Sequence, residues 1–207
     1  MNDLSTAVVY QVASRALDYP DEQLLADLPM MRAALREVPA SYTAPLGRLL
    51  DHIEATPLQS LAADYVATFD LRRRCCLYLS YYAYGDTRKR GIALLAFKQT
   101  FRRGKVELKS NELPDHLCVV LEFAATADLA RGTKMLLEHR AGLEMLRHAL
   151  QDGDSPWGDG VAAVTATLPA LKGEERAAVA RLAAEGPPGE EVGLEPFAPP
   201  DLMGARP

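Results

Sequence analysis

The sequence that decides the fold is the stretch from Tyr65 to Phe123, which reads YVATFDLRRRCCLYLSYYAYGDTRKRGIALLAFKQTFRRGKVELKSNELPDHLCVVLEF. Its apolar residues recur three and four positions apart, for example at Leu94, Phe97 and Phe101. This spacing is typical of an amphipathic helix, and we find no convincing run of two-residue alternation that would indicate a strand. The stretch therefore predicts an all-α protein.

The middle of this stretch predicts the central helix of the protein. Residues 75–84 are apolar almost all round, which is typical of a helix that is buried on every side. Asp70 can cap this helix, and Thr87 can cap the next one. A loop is expected over 104–111. Pro114, Asp115 and His116 then begin a further helix.

Helical spacing continues on both sides of the stretch. Towards the N-terminus it predicts a helix up to Tyr19 and a second one from Pro20. Pro29 should interrupt this second helix or begin the next one, because proline lacks a backbone N–H and clashes with the preceding turn. Further helices are predicted over 46–53, over 58–69, over 128–150 with a bend at Gly142, over 160–168 and over 174–184.

These elements predict a single-domain helical bundle of about 8–10 helices that occupies residues 1–185. Residues 186–207 read GPPGEEVGLEPFAPPDLMGARP and are rich in proline, glycine and acidic side chains. Such a composition cannot bury enough apolar surface to form a core, so it predicts a disordered C-terminal tail.

Composition and the N-terminal sequence indicate the cellular compartment of the protein. The chain has 207 residues, and no window approaches the roughly 18 apolar residues that a transmembrane helix needs. Its N-terminus lacks the basic start and compact apolar block of a secretory signal. Three cysteines, two of them adjacent, make no disulfide framework. These features predict a protein of the reducing cytoplasm.

Charge is distributed unevenly along the chain. The net charge is −5, yet residues 72–109 hold 11 basic side chains against 2 acidic ones. This pattern indicates a basic surface on an acidic body, which can steer an anionic partner, or basic side chains that pair with the acidic helices around them. The basic triplets at 72–74 and 88–90 favour phosphate contacts. The tyrosines between them are typical of protein-binding surfaces or of plain core packing: Tyr78, Tyr81, Tyr82 and Tyr84.

The sequence provides no support for a particular reaction. It contains no P-loop, dinucleotide fingerprint or nucleophile elbow, and its four histidines include no familiar ligand spacing. Cys75 and Cys76 would project about 100° apart on a helix, which favours inert, buried thiols over a metal site. His116, beside Asp115 and near Glu112, could be an acid–base group, but we favour a surface or binding role, with the acids complementing a helix N-terminus.

Three groups of residues give the chain a specific resemblance. They are Tyr65 with Phe69-Asp70, then the segment from Gly85 to Gly91 (GDTRKRG), and finally ELPDHL at 112–117 followed by Leu121-Glu122-Phe123. Together they resemble the NarJ group of assembly chaperones for membrane-bound respiratory nitrate reductase, within the wider TorD-like family of molybdoenzyme chaperones. The similarity runs from the first helix to about residue 150 and is most specific between 65 and 125.

This resemblance implies a fold and a function. Such proteins are all-helical, cytoplasmic and not enzymes. They bind the immature catalytic subunit, including an N-terminal segment similar to a twin-arginine leader, support insertion of the molybdenum cofactor and delay membrane docking. They bind no cofactor stably and no nucleic acid, and they do not insert directly into the membrane. They are not part of the finished reductase, and a homodimer stays open. The partner-binding residues that the resemblance implies are Tyr65, Phe69, Asp70, Tyr82, Asp86, Arg88, Arg90, Glu112, Pro114, Asp115, His116 and Glu122, with Gly85 and Phe123 in the same motifs.

A partner peptide could bind such a protein as an amphipathic helix in an apolar groove, with Asp70, Asp86, Glu112 and Asp115 recognising its basic residues. The basic segment would then meet an acidic partner surface or the anionic cofactor. Alternative hypotheses are a chaperone for another molybdoenzyme, of the dimethylsulfoxide or selenate reductase type, and a helical regulator that binds nucleic acid through the basic segment. A metal-dependent enzyme is the third alternative.

Overall fold

The protein is a bundle of α-helices, described here from a computed structural model that covers residues 2–108 and 112–188. Within these ranges it contains eleven α-helices and no β-strand, so the predicted all-α class is confirmed. The helices are α1 Asp3–Ala16, α2 Glu22–Leu35, α3 Ala40–Ala55, α4 Leu58–Tyr65, α5 Tyr81–Tyr84, α6 Arg88–Arg103, α7 Leu117–Thr126, α8 Leu129–Glu138, α9 Arg140–Asp152, α10 Trp157–Ala166 and α11 Gly173–Glu185. None of the described helices is both long enough and apolar enough to cross a membrane.

The core lies where α1, α3, α7, α9 and α10 meet. Helix α1 packs against α7 and α10, helix α10 packs in turn against α3 and α9, and α11 covers α9. Val9, Tyr10 and Ala13 of α1 are fully buried at this centre, as is Trp157 at the start of α10. Burial of these apolar faces removes area from water and is the main driving force for the bundle.

Helix α2 runs through Pro29, so the predicted interruption is wrong. A proline inside a helix removes one hydrogen bond and costs about 3 kcal/mol. Pro29 is exposed, while Leu24 and Leu28 before it and Met31 and Leu35 after it are buried on one face. Burial of this continuous face outweighs the local cost of the proline.

The predicted central helix over 75–84 is also wrong. Helix α4 passes into a π-helical turn at Val66–Asp70, which Asp70 ends rather than begins, and a 3-10 turn follows at Arg73–Cys75. Residues 76–78 then form a short extended segment, in which Tyr78 makes an isolated antiparallel bridge with His116. An apolar run without polar positions is compatible with a buried extended segment as well as with a helix, and periodicity cannot separate the two.

The segment 128–150 forms two helices, not one bent helix. The break falls at His139, which lies between α8 and α9, and Gly142 lies inside α9. A Cβ at Gly142 would be 2.7 Å from the Cβ of Tyr82, so this glycine serves close packing of α9 against α5. Helices α10 and α11 lie close to the predicted positions. The predicted tail begins at Gly186, and most of it, from residue 189, lies outside the described residues.

The contact between α7 and α8 generates a stability prediction. A Cβ at Gly132 would be 2.2 Å from the Cβ and 2.6 Å from the Cα of Ala124. The Cα belongs to the backbone of α7, so it cannot move aside without moving the helix. We expect Gly132→Ala to lower the free energy of unfolding by about 1–2 kcal/mol, because overpacking exceeds the gain in helix propensity. Denaturant titration followed by circular dichroism measures the change.

Gly91 is the matched control, since it also lies inside a helix, is exposed, and has no atom within 4 Å of a Cβ added there. Gly91→Ala should raise the free energy of unfolding by roughly 0.5–1 kcal/mol. If the two substitutions changed the free energy of unfolding equally, helix propensity alone would account for both changes, and α7 and α8 would not be in tight contact.

Candidate partner-binding site

Two of the sequence motifs meet through their backbones. The Leu79 N–H donates to the Asp115 carbonyl oxygen at 2.9 Å, and the Leu117 N–H donates to the Leu77 carbonyl oxygen at 2.8 Å. These two bonds flank the bridge between Tyr78 and His116. They join the extended segment before α5 to the segment before α7, and thereby fix the side chains of both segments relative to each other.

Asp115 is the most buried charged residue at this junction. Its side chain is fully inaccessible to water, and its Oδ2 accepts hydrogen bonds from the Ser80 hydroxyl at 2.5 Å and from the Ser80 N–H at 3.2 Å. The Arg90 guanidinium approaches the same oxygen at 3.6 Å through Nη2. A buried carboxylate is costly unless it is paired and hydrogen-bonded. Oδ2 meets this requirement, whereas Oδ1 has no hydrogen-bond partner among the described residues.

Arg90 connects this buried carboxylate to the surface. Its Nη1 donates to Asp86 Oδ1 at 3.0 Å, one helical turn earlier, and its Nε donates to the Ser80 hydroxyl at 3.3 Å. The guanidinium carbon lies 5.3 Å from the centre of the Tyr78 ring, within the range of a cation–π interaction. We call Ser80, Asp86, Arg90 and Asp115 the Asp115 cluster.

Tyr78, Glu112 and His116 form the outer edge of the site. The Tyr78 hydroxyl donates to Glu112 Oε1 at 2.9 Å, and burial together with this carboxylate raises the pKa of Tyr78. The His116 ring packs edge-on against Tyr78 with 5.2 Å between ring centres. His116 is buried, not on the surface as the sequence led us to expect, and burial lowers its pKa. Its imidazole is therefore neutral at pH 7.

Three of the predicted partner-binding aromatics lie in the core. The Tyr65 and Phe69 rings stack with each other and pack against Trp157, with 5.4 Å and 5.8 Å between the respective ring centres. The Tyr82 hydroxyl donates to the carbonyl oxygens of Arg74 and Cys76, at 3.0 Å and 2.9 Å. These side chains are buried where they stand and hold the extended segment and the π-helical turn in position.

The remaining predicted residues lie around the cluster without joining it. Asp70, Arg88 and Glu122 are exposed and make no hydrogen bond to the Asp115 cluster within the described residues. Pro114 is buried directly before Asp115. The Asp115 carboxylate does not complement the helix N-terminus as expected, because both of the hydrogen bonds that it accepts within the described residues come from Ser80.

Sequence reasoning missed Ser80 as a member of the site. It is fully buried and supplies both hydrogen bonds to Asp115. The available signal was a single polar side chain inside the apolar run LYLSYYAY, since a buried hydroxyl needs a partner. Tyr78 was recognised only as one of several tyrosines, and its bond to Glu112 could not be read from the sequence.

A groove runs beside the cluster. It lies between the second half of α6 and the segments 106–108 and 112–114. It encloses about 330 Å³. The described side chains that line it are Lys98, Phe101, Arg102, Val106, Glu107, Leu108, Glu112, Leu113 and Pro114. Its α6 wall is basic, its opposite wall carries two glutamates, and Leu113 is 38% exposed at the rim.

The ionisable groups in and around the site include thiols, carboxylates and a guanidinium. Burial raises the pKa of Cys76 to about 11 and also raises that of Cys75 and Cys118, so these thiols stay protonated at neutral pH. Among the described residues, no three His, Cys, Asp or Glu side chains are grouped as metal ligands would be. The junction itself brings together the carboxylates of Asp86, Glu112 and Asp115 with the single guanidinium of Arg90. This excess of negative charge favours a cationic partner group.

Comparison with known proteins gives consistent results. The sequence profile of the nitrate reductase delta subunit family matches residues 35–163. The nitrate reductase-like protein NarX of Mycobacterium tuberculosis is 41% identical over 160 residues, which are 77% of this chain but only 24% of NarX. The nitrate reductase molybdenum cofactor assembly chaperone NarJ of Bacillus subtilis is 31% identical over 75% of this chain and 85% of its own length.

The same kind of chaperone from Escherichia coli is 29% identical over 70% of this chain and 62% of its own length. A solved structure of a redox enzyme maturation protein from Archaeoglobus fulgidus superimposes with a TM-score of 0.58, over 78% of this chain and 93% of that one. Its sequence identity is 19%, so it shows a shared helical fold.

The shared guanidinium of Arg90 allows the two carboxylates that it contacts to be compared. We expect Asp115→Ala to lower the free energy of unfolding by roughly 3 kcal/mol, because it leaves the Ser80 hydroxyl and Arg90 without their buried partner. Asp86→Ala is the control, since the Asp86 side chain is 55% exposed, and an exposed pair contributes less than about 1 kcal/mol. Denaturant titration of both variants would refute this assignment if Asp86→Ala had the larger effect.

His116 predicts a dependence of stability on pH. Its pKa is lowered in the folded protein, so the unfolded chain binds a proton more readily than the folded chain as pH falls below about 6.5. The free energy of unfolding should therefore fall between pH 7 and pH 5, and His116→Gln should reduce that fall. Denaturant titration at both pH values measures it, and an identical fall in the two proteins would contradict the prediction.

Proposed function

Because this chain belongs to the nitrate reductase delta subunit family, we propose that it is a maturation chaperone for the catalytic subunit of a respiratory nitrate reductase. It binds that subunit while it is immature, supports insertion of the molybdenum cofactor, and delays membrane docking until assembly is complete. It acts in the cytoplasm, is not an enzyme and is absent from the finished reductase. The observation that carries the proposal is the convergence of two distant motifs on one buried cluster beside an open groove.

The arrangement of the groove supports a peptide as the bound group. Apolar side chains, among them Phe101, Val106 and Leu113, lie between a basic wall and an acidic wall. An amphipathic helix fits such a surface by placing its apolar face inward and its charged residues towards the walls. The N-terminal leader-like segment of the catalytic subunit, with its basic residues, is the partner that we propose for this groove.

Recognition of basic residues is assigned to Asp86 and Glu112. The Asp86 side chain is 55% exposed, and Glu112 is exposed at the mouth of the groove. Arg90 already occupies one side of Asp86, and Tyr78 occupies one oxygen of Glu112. Both carboxylates are thus held in place before the partner arrives, which reduces the entropy lost on binding.

The buried members of the site have a supporting role in this proposal. Asp115 is inaccessible and cannot touch a partner directly, but it anchors Arg90 and the segment that carries Glu112. His116 and Tyr78 set the distance between that segment and α5. A substitution at Asp115 should therefore weaken binding through loss of order, whereas a substitution at Glu112 should weaken it with the fold intact.

Isothermal titration with a peptide from the N-terminus of the catalytic subunit tests the assignment. We expect Glu112→Gln and Asp86→Asn each to weaken binding about 3–10-fold, which corresponds to roughly 0.7–1.4 kcal/mol for one partly exposed charge pair. Glu37→Gln is the control because Glu37 is an exposed acid just after α2, outside the site. Unchanged affinity in both site variants, with stability preserved, would refute the assigned role.

Co-purification tests the chaperone function itself. The chain should retain catalytic subunit produced without molybdenum cofactor and should release, or fail to bind, the cofactor-loaded subunit. Equal capture of both forms would contradict the proposal. Capture of a dimethylsulfoxide or selenate reductase subunit in place of the nitrate reductase subunit would assign the chain to the alternative client.

A further inference from the structure

Helix α6 carries an unusual concentration of positive charge. Its 16 residues include six Lys or Arg and no acid. Arg90 turns inward to the Asp115 cluster, while the other five side chains are exposed and form no ion pair within residues 2–108 and 112–188. We call these five the basic face of α6: Arg88, Lys89, Lys98, Arg102 and Arg103. By contrast, Arg15 and Arg32 on α1 and α2 each pair with two carboxylates.

Two large apolar side chains lie among these charges. Ile92 is 71% exposed and Leu95 is 59% exposed, one helical turn apart. The solvent side of a surface helix normally carries polar residues, with the apolar residues on the inner side. A ligand that matches this surface would be acidic and would carry apolar side chains of its own.

The described chain ends close to this helix. Helix α11 covers α9 and stops at Glu185, after which Gly186 adopts a φ of 74° and turns the chain. The Pro188 carbonyl oxygen then lies against Gly85, where an added Cβ would be only 2.0 Å from it. Gly85 itself has a φ of 56° and stands three residues before α6 begins.

The sequence that follows has the required character. Residues 189–207 contain four acids and one arginine, together with Val192, Leu194, Phe197, Leu202 and Met203. Nineteen extended residues reach about 60 Å, whereas the 16 residues of α6 span about 24 Å. Reach, charge and apolar content thus all suit the basic face of α6.

We propose that residues 189–207 bind along the basic face of α6 as an intramolecular ligand and compete there with the client. The competition rests on the proposed function, because Lys98 and Arg102 belong both to the basic face and to the wall of the groove. A tethered segment acts at a millimolar effective concentration. Even a weak contact between this segment and the basic face of α6 therefore competes with a client, which must bind more tightly to displace it. The docking of the segment does not depend on the client.

Zero-length cross-linking with a carbodiimide tests the docking in the full chain. Amide bonds should form between Glu190, Glu191, Glu195 or Asp201 and Lys89 or Lys98, and mass spectrometry of the digest identifies them. Raising the salt concentration to 1 M should suppress these cross-links, because the Debye length falls to about 3 Å. Exposed Lys172 before α11 is the internal control. Cross-links spread equally over Lys89, Lys98 and Lys172, or none at all, would overturn the docking.

A charge-neutral variant of the full chain tests the competition. Glu190→Gln, Glu191→Gln, Glu195→Gln and Asp201→Asn combined should tighten binding of the client peptide about 3–10-fold, since the tethered competitor is weakened. Unchanged peptide affinity in this variant would overturn the competition. If neither protein bound any client peptide, the proposed function would fail, while the cross-links would still decide whether the segment docks.

Discussion

The structure depends on the burial of one carboxylate. Asp115 has no access to water, and its charge is compensated by the Ser80 hydroxyl and N–H and by the Arg90 guanidinium. These three residues come from the segment before α7, from the start of α5 and from α6, so one electrostatic requirement fixes three parts of the chain relative to each other. The backbone bridge between Tyr78 and His116 has the same effect. A groove with defined walls exists beside α6 because these segments cannot move independently.

Such a cluster is better suited to specificity than to stability. A buried ion pair loses much of its Coulomb energy to desolvation, and an apolar replacement of similar shape is often as stable. What the pair supplies is a single arrangement of the surrounding side chains. In this protein the arrangement leaves Asp86 and Glu112 at the surface with their partners already in place, and it turns Arg90 away from the other cations of α6. Exposed charges of opposite sign thus lie on the two walls of one groove, which the tethered acidic segment and a basic client could both use.

The sequence allowed part of this to be predicted. Helical spacing was a sound guide for α3, α4 and α6, because each of these helices buries one face and leaves the other in water. It failed for residues 75–84, because residues 77–79 of this apolar run pair with the 115–117 segment and only Tyr81–Tyr84 form a helix. The resemblance of GDTRKRG and ELPDHL to a known family pointed to the residues that meet at the site. It could not separate Asp86 and Glu112 at the surface from Tyr65 and Tyr82 in the core, since burial depends on contacts distant in sequence.

The proposed client segment binds between α6 and the segment before α7. Backbone amide chemical shifts of the isotope-labelled full chain, recorded while an N-terminal peptide of the catalytic subunit is added, test it most directly. We predict that the largest changes fall on residues 85–90, 98–108 and 112–116, and that α2 and α3, which pack against each other and against α1, stay unchanged. Changes confined to α2 and α3, with the amides around Asp86 and Glu112 unaffected, would contradict the account.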